Sequence, residues 1–306
     1  MSATVSPLRR TDAAALRGEA ERLAAAQGSL MARAQRLAAT VYLGAHGRRR
    51  PGVGETFWQY RHASPGDPLG SVDWRRSARS DAVFVRETEW EAAQTVRLWC
   101  DRSASMRFRS EGAPVSKADR AAELTAALAI LLARGGERTA LLSADPKAGA
   151  PRPSLGEAHL SRVVDALGRD EAHEFGAPPD LGPARGGRVV FVSDFFGDEA
   201  AALGAIDAAV QRGLSGFALQ VNDPLEESFP FDGRIVFESM GRSLSYETER
   251  ASALREDYLA ALAARRGRLA EAARRAGWGF ATHRTDESAA PALLWLARGL
   301  SETTGG

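Results

Sequence analysis

The feature that most constrains this chain is a pair of apolar runs that each stop abruptly at an aspartate. Residues 96 to 105 read VRLWCDRSAS, so the run ends at Asp101, with Ser103 and Ser105 at alternate positions just beyond. A short, bulky run bounded by polar residues suits a strand covered on both faces of a parallel sheet. RVVFVS at 188–193 repeats the pattern and meets Asp194, followed by a Phe pair and Gly197. Between and after these runs the pattern alternates strand and helix. Helical spacing covers about 117–134, 157–167, 199–212, 249–276 and 288–300, and further strands are expected at 138–143, 216–221 and GWGFATH. RIVFESM and SLSYE (234–247) can pair as a hairpin across Gly241. Ser116 and Asp119 are spaced as a capping box for the first of these helices. Repeated βα units predict an α/β fold with a doubly wound, mostly parallel sheet and right-handed crossovers.

In such sheets ligands bind in the crevice beyond the carboxyl ends of the strands. Asp101 with Ser103 and Ser105 is an all-oxygen set suited to Mg²⁺ or Mn²⁺. Two strands of one parallel sheet that both end in aspartate can bring Asp101 and Asp194 to the same edge. The competing reading is structural, because Asp and Ser also cap helices and close turns. Asp198 is better placed than Asp194 to cap the helix that begins near Glu199.

Length and composition narrow the function classes. At 306 residues the chain is one large domain with an extension, or two domains. A net charge of +1 predicts neither nucleic-acid nor membrane binding. Lys117 and Lys147 are the only lysines, an arginine preference that reads as a GC-rich genome. The lone Cys100 excludes an intramolecular disulfide and a cysteine-based zinc site. The first residues lack the apolar core of a secretion signal, and no window approaches the roughly 20 apolar residues of a membrane span. A cytoplasmic protein is expected. The five histidines (His46, His62, His159, His173, His283) show no metal spacing. No G-x-S-x-G elbow and no phosphate-cradling G-x-x-x-x-G-K-[ST] occurs. A magnesium-dependent phosphotransferase or phosphatase using Asp101 as nucleophile is the enzyme alternative, but Ser103 stands where its acid/base carboxylate belongs.

Residues 1–92 are expected to form an N-terminal helical and small β extension that packs on a main domain at 93–306. From Thr11 to about Leu43 the spacing is helical, interrupted at Gly28. DAVFVRETEW (81–90) alternates like an edge strand. Arg75, Arg76, Arg79 and Arg86, with Trp58 and Trp74, could form a phosphate or partner surface. Asp67, Asp73, Glu87, Glu89 and Glu91 interleave with them, which favours ion pairs, and Trp74 and Tyr60 are expected to pack.

Asp101-Arg-Ser103-Ala-Ser105, the later strand ending in Asp194, and the order of elements resemble a von Willebrand factor A-type, Rossmann-like domain. Tyr60-Arg61, Gly66-Asp67, Val72-Asp73-Trp74-Arg75, Ser77-Ala78-Arg79 and Val85-Arg86 resemble the characteristic run of the domain of unknown function 58 family. That family carries such a domain, and its members commonly pair with MoxR-type AAA+ ATPases. The resemblance implies a metal-ion-dependent adhesion site with Asp101, Ser103 and Ser105 in its first loop and Asp194 in its last. The remaining loop normally supplies a threonine; the corresponding stretch here offers only Ser154. The implied function is a metal-dependent protein-binding module, with Mg²⁺ or Mn²⁺ bridging to an acidic residue of a client protein. A scaffold with a vestigial site is the remaining alternative.

Overall fold

The computed structural model of the chain describes residues 25–41, 56–64, 72–79, 82–89, 94–143 and 152–302. They belong to two units, one spanning Met1–Gly47 with Thr95–Gly306, the other Arg48–Gln94. The helix 25–41 (α1) thus belongs with the main unit rather than with the segment that follows it.

In the smaller unit β1 (Thr56–His62) and β2 (Phe84–Glu89) pair antiparallel, with a register shift between Phe57 and Gln59. Between them α2 (Trp74–Ser77) is a single turn, capped where the Asp73 carboxylate accepts the Arg76 N–H at 2.9 Å. Trp74 was expected to pack, yet it is 60% exposed, because a four-residue helix with no buried side chain has no face to hide it. Arg76 lies over the Phe84 ring, 5.3 Å from its centroid. The side chains of Trp58, Tyr60 and Arg86 lie outside the described residues, as do Asp67 and Glu91.

The main unit is built on five parallel strands: β3 (Thr95–Cys100), β4 (Arg138–Leu141), β5 (Arg188–Ser193), β6 (Ser215–Asn222) and, late in the chain, Gly279–Arg284. Strand alternation divides the core. Val96, Leu98, Cys100, Val190 and Val192 face one apolar cluster, while Trp99, Val189 and Phe191 face the other. The first cluster is closed by α1, α3 (Lys117–Arg134), α4 (Glu157–Leu167) and the C-terminal helix Ala289–Glu302. The second is closed by α5 (Glu199–Gln211) and α7 (Arg255–Arg275). Helices on both faces explain why the central strands are mostly apolar, with Arg97 in β3 and Gln220 in β6 as polar exceptions.

Two departures from the sequence expectation exceed a shift of one or two residues at a boundary. The long helix begins at Arg255, after a separate 3₁₀ turn at Ala251–Leu254, rather than at 249. A short helix, α6 (Pro224–Ser228), follows β6; Asp223 and Glu226 close a capping box around its N-terminal proline. The expected hairpin forms as β7 (Ile235–Glu238) and β8 (Ser245–Thr248). Gly279–Arg284 and Ala289–Glu302 complete the series as β9 and α8.

Spatial order is β4-β3-β5-β6-β9. The chain leaves β3 to one side for β4 and returns past it to the other side for β5. The reversal lies between β3 and β5, where the connecting loops diverge and open a crevice.

Candidate functional site

Asp101 and Asp194 stand at the two lips of that crevice. Cys100 is level with Val192, and the Asp101 N–H donates to the Val192 carbonyl at 2.9 Å, so both strand ends finish together. Both aspartates are fully buried. Oδ1 of Asp101 accepts the Ser103 N–H at 2.9 Å, and Oδ2 accepts the Ser193 hydroxyl at 2.6 Å. Ser103 is likewise buried, and its Oγ lies 3.2 Å from Ser105 Oγ. The 3₁₀ turn Ala104–Arg107 that follows carries Met106, whose sulfur receives the Asp194 N–H at 3.3 Å. The structure therefore gathers Asp101, Ser103, Ser105 and Asp194 in one place.

Ser154 is not among them. It forms an isolated antiparallel bridge with Thr139 on the outer side of β4, and its hydroxyl donates to the Arg152 carbonyl at 3.3 Å. Thr139 is level with Val96, five residues before Asp101, which leaves it about 16 Å short of the strand tip. The segment that does reach the site is 171–176, from the connection after α4. Its backbone runs beside 102–105: Glu171 N–H to Arg102 O at 3.0 Å, Ala104 N–H to His173 O at 2.8 Å, and Ser105 N–H to Glu174 O at 2.8 Å. Gly176 lies against the Asp101 carboxylate so closely that a Cβ there would sit 2.2–2.4 Å from its three outer atoms. The third loop thus contributes backbone where a threonine was expected.

Lys117 and Glu226 enter the site without any expectation from the sequence. Lys117 Nζ is 2.8 Å from Asp194 Oδ2 and 2.5 Å from Glu226 Oε1, with its side chain only 1% exposed. The ammonium also lies 4.8 Å from the centroid of the Phe196 ring. Burial works against its charge, but the two carboxylates outweigh that and hold its pKa above the ordinary lysine value. Asp101 is treated oppositely. Burial first, and then the charge of Asp194, push its pKa up, against the hydrogen bonds from Ser193 and Ser103. Among the described residues no cation lies within ion-pair distance of Asp101.

The loop after β5 is held in an unusual shape. Phe195 has φ of 54°, a left-handed conformation uncommon for a bulky residue and costly when unsupported. Its N–H donates to Ser193 Oγ at 2.9 Å, and its carbonyl accepts from Arg265 of α7 at 2.6 Å. Arg266 on the same helix donates to Gln220 at 3.0 Å, and Gln220 donates to the Asp194 carbonyl at 3.0 Å. Asp198 caps α5 by accepting the Ala200 N–H at 2.9 Å, which leaves Asp194 free of that duty.

Beside Ser105 and Lys117 opens a pocket of ≈ 230 Å³. Phe108, Phe175, Phe196, Phe229, Phe231 and Phe237 line it, half of the twelve phenylalanines in the chain. Cys100 is buried and burial pushes its thiol up to about 12, as befits a packing residue rather than a nucleophile.

The residues fit a hard divalent cation in kind. A carboxylate and two neighbouring hydroxyls are oxygen donors, and a buried carboxylate lacking a counter-charge calls for a cation or a proton. Among the described residues no group of three or more His, Cys, Asp or Glu side chains is arranged to hold a metal, so any such site depends on the serine hydroxyls. Among the described residues no helix is long and apolar enough to cross a membrane.

Relatives of this chain include uncharacterised protein Rv1480 of Mycobacterium tuberculosis and uncharacterised protein Mb1516 of Mycobacterium bovis. Each is 29% identical over 296 residues, 92% of this chain and 90% of the relative. Among solved structures, the conserved hypothetical protein BatB from Bacteroides thetaiotaomicron matches 69% of this chain and 100% of its own, at 14% identity and a TM-score of 0.36. An aerotolerance-related membrane protein from Bacteroides fragilis gives the same coverages and identity with a TM-score of 0.38. The residues 59–268 match the family described as Protein of unknown function DUF58, and the chain belongs to that family.

Proposed function

We propose that this protein is a metal-dependent protein-binding module with a von Willebrand factor A-like main unit. Mg²⁺ or Mn²⁺ would be held by Asp101, Ser103 and Ser105, with Asp194 behind them. Such an ion, when bound, supplies an open coordination position that an acidic side chain of a client protein can fill. The observation that carries this reading is Asp101: a buried carboxylate beside two hydroxyls, at the switch point of the sheet, with no cation of its own among the described residues. The work is binding rather than turnover. Ser103 stands where a phosphotransferase using Asp101 would need its acid/base carboxylate. Family resemblance supports a MoxR-type AAA+ ATPase as the partner that drives capture or release during assembly or maturation of the client, in the cytoplasm.

Titration with Mn²⁺, followed by the electron paramagnetic resonance of the free ion, tests the site. The wild type should take up one ion, and Asp101→Asn none. Absence of uptake by the wild type would sink the proposal and leave the vestigial scaffold, a reading that the Lys117 ion pairs favour.

A further inference from the structure

We infer that Lys117 is a resident cation that competes with a divalent ion for Asp194, an inference that rests on the metal-binding reading above. The ammonium sits 2.8 Å from Asp194 and 2.5 Å from Glu226. With Asp101 these make three carboxylates against one ammonium, a formal charge of −2 for the cluster when all are ionised. A divalent ion brings that to zero, but it must share Asp194 with a positive charge that is already in place. Like charges at close range in a poorly solvated site repel strongly. The resting site therefore holds a bare divalent ion loosely. An incoming carboxylate adds the negative charge that offsets the repulsion, so ion and acidic partner strengthen each other's binding.

Residue choice supports this role. The chain has 40 basic residues, yet only Lys117 and Lys147 are lysines. Lysine gives a compact point charge on a flexible stem, whereas a guanidinium is a broad planar fork. A position with 1% side-chain exposure, between two carboxylates and the rings of Phe108 and Phe196, suits the compact charge better than the broad fork.

The experiment is Mn²⁺ titration, read by electron paramagnetic resonance, on wild type, Lys117→Met, and Lys117→Met with Glu226→Gln. The double variant removes one charge of each sign and so keeps the cluster at −2. It also avoids leaving Glu226 without its counter-charge, and it decides the question where the single variant does not fold. If Lys117 competes for Asp194, both variants bind Mn²⁺ at least about tenfold tighter than wild type, a change of about 1.4 kcal/mol. Unchanged or weaker affinity in a folded variant, with uptake by the wild type intact, overturns the competition and spares the metal site. No uptake by any form overturns both.

Discussion

Replacing Asp101 with asparagine should make the metal-free protein more stable while abolishing its response to divalent ions. The buried carboxylate carries a raised pKa, so its contribution to stability is intact below the unfolded value near 4 and is lost as pH rises through the folded value. At neutral pH the folded state must either bury this charge or bind a proton to avoid it, and the effective penalty for such a buried ion is several kcal/mol. Asparagine keeps most of the geometry. Its carbonyl can accept the Ser103 N–H, and its amide can donate to Ser193 Oγ, which already accepts the Phe195 N–H. The loss is the 2.6 Å bond from the Ser193 hydroxyl, which falls from a charge-assisted bond of about 1.5–3 kcal/mol to an ordinary one of about 1. The balance favours asparagine by about 2 kcal/mol, a rise in melting temperature of about 4–8 °C for a unit of this size. Thermal unfolding with chelator and with excess Mn²⁺ reads both effects. A lower melting temperature for Asp101→Asn in chelator would refute the argument that the wild-type carboxylate lacks a counter-charge.

Two further substitutions probe the surroundings. Gly176→Ala places a Cβ 2.2–2.4 Å from the Asp101 carboxylate and must lift the 171–176 segment, costing about 2–4 kcal/mol from overpacking and loosened hydrogen bonds; urea unfolding within 0.5 kcal/mol of wild type would contradict it. His283 is buried, with Nε2 lacking a hydrogen-bond partner among the described residues, and its pKa is lowered to about 4 by burial and then by Arg120. Its neutral form stabilises the fold above the unfolded pKa of 6.5, and that stability is lost as pH falls through about 4, amounting to up to about 3 kcal/mol. His283→Leu should flatten the acid limb between pH 6.5 and 4, and an unchanged limb would assign the loss elsewhere.

The frame of the main unit was legible because burial on both faces forces mostly apolar strands, and β3 (Arg97 apart) and β5 each display such a run ending in aspartate. The same logic places Asp101 and Asp194 together, since parallel strands that start level end level. Ser154 was misplaced because a loop's length says little about which part of it returns to the sheet. The returning part, 171–176, engages through backbone carbonyls and a bare Cα, neither of which marks a sequence; the close approach at Gly176 is its one trace. Lys117 was hidden by its position at the first turn of α3, where a lysine looks solvated. A lysine kept in an arginine-dominated chain was the available signal. Glu226 could have been found from Asp-Pro-Leu-Glu after β6, which spells a capped helix start.

The packing of α1 bears on how the chain assembles. Leu30, Ala34, Ala38 and Val41 are buried in the same cluster as residues of α3, α4 and α8, and Gln27 approaches Gly168 at the end of α4. This early segment emerges from the ribosome more than a hundred residues before α4 does. During synthesis its apolar stripe has nothing native to rest on, so closure of this side of the core waits for distant sequence. Refolding should accordingly show α1 gaining protection from hydrogen exchange late, together with α4 rather than ahead of it.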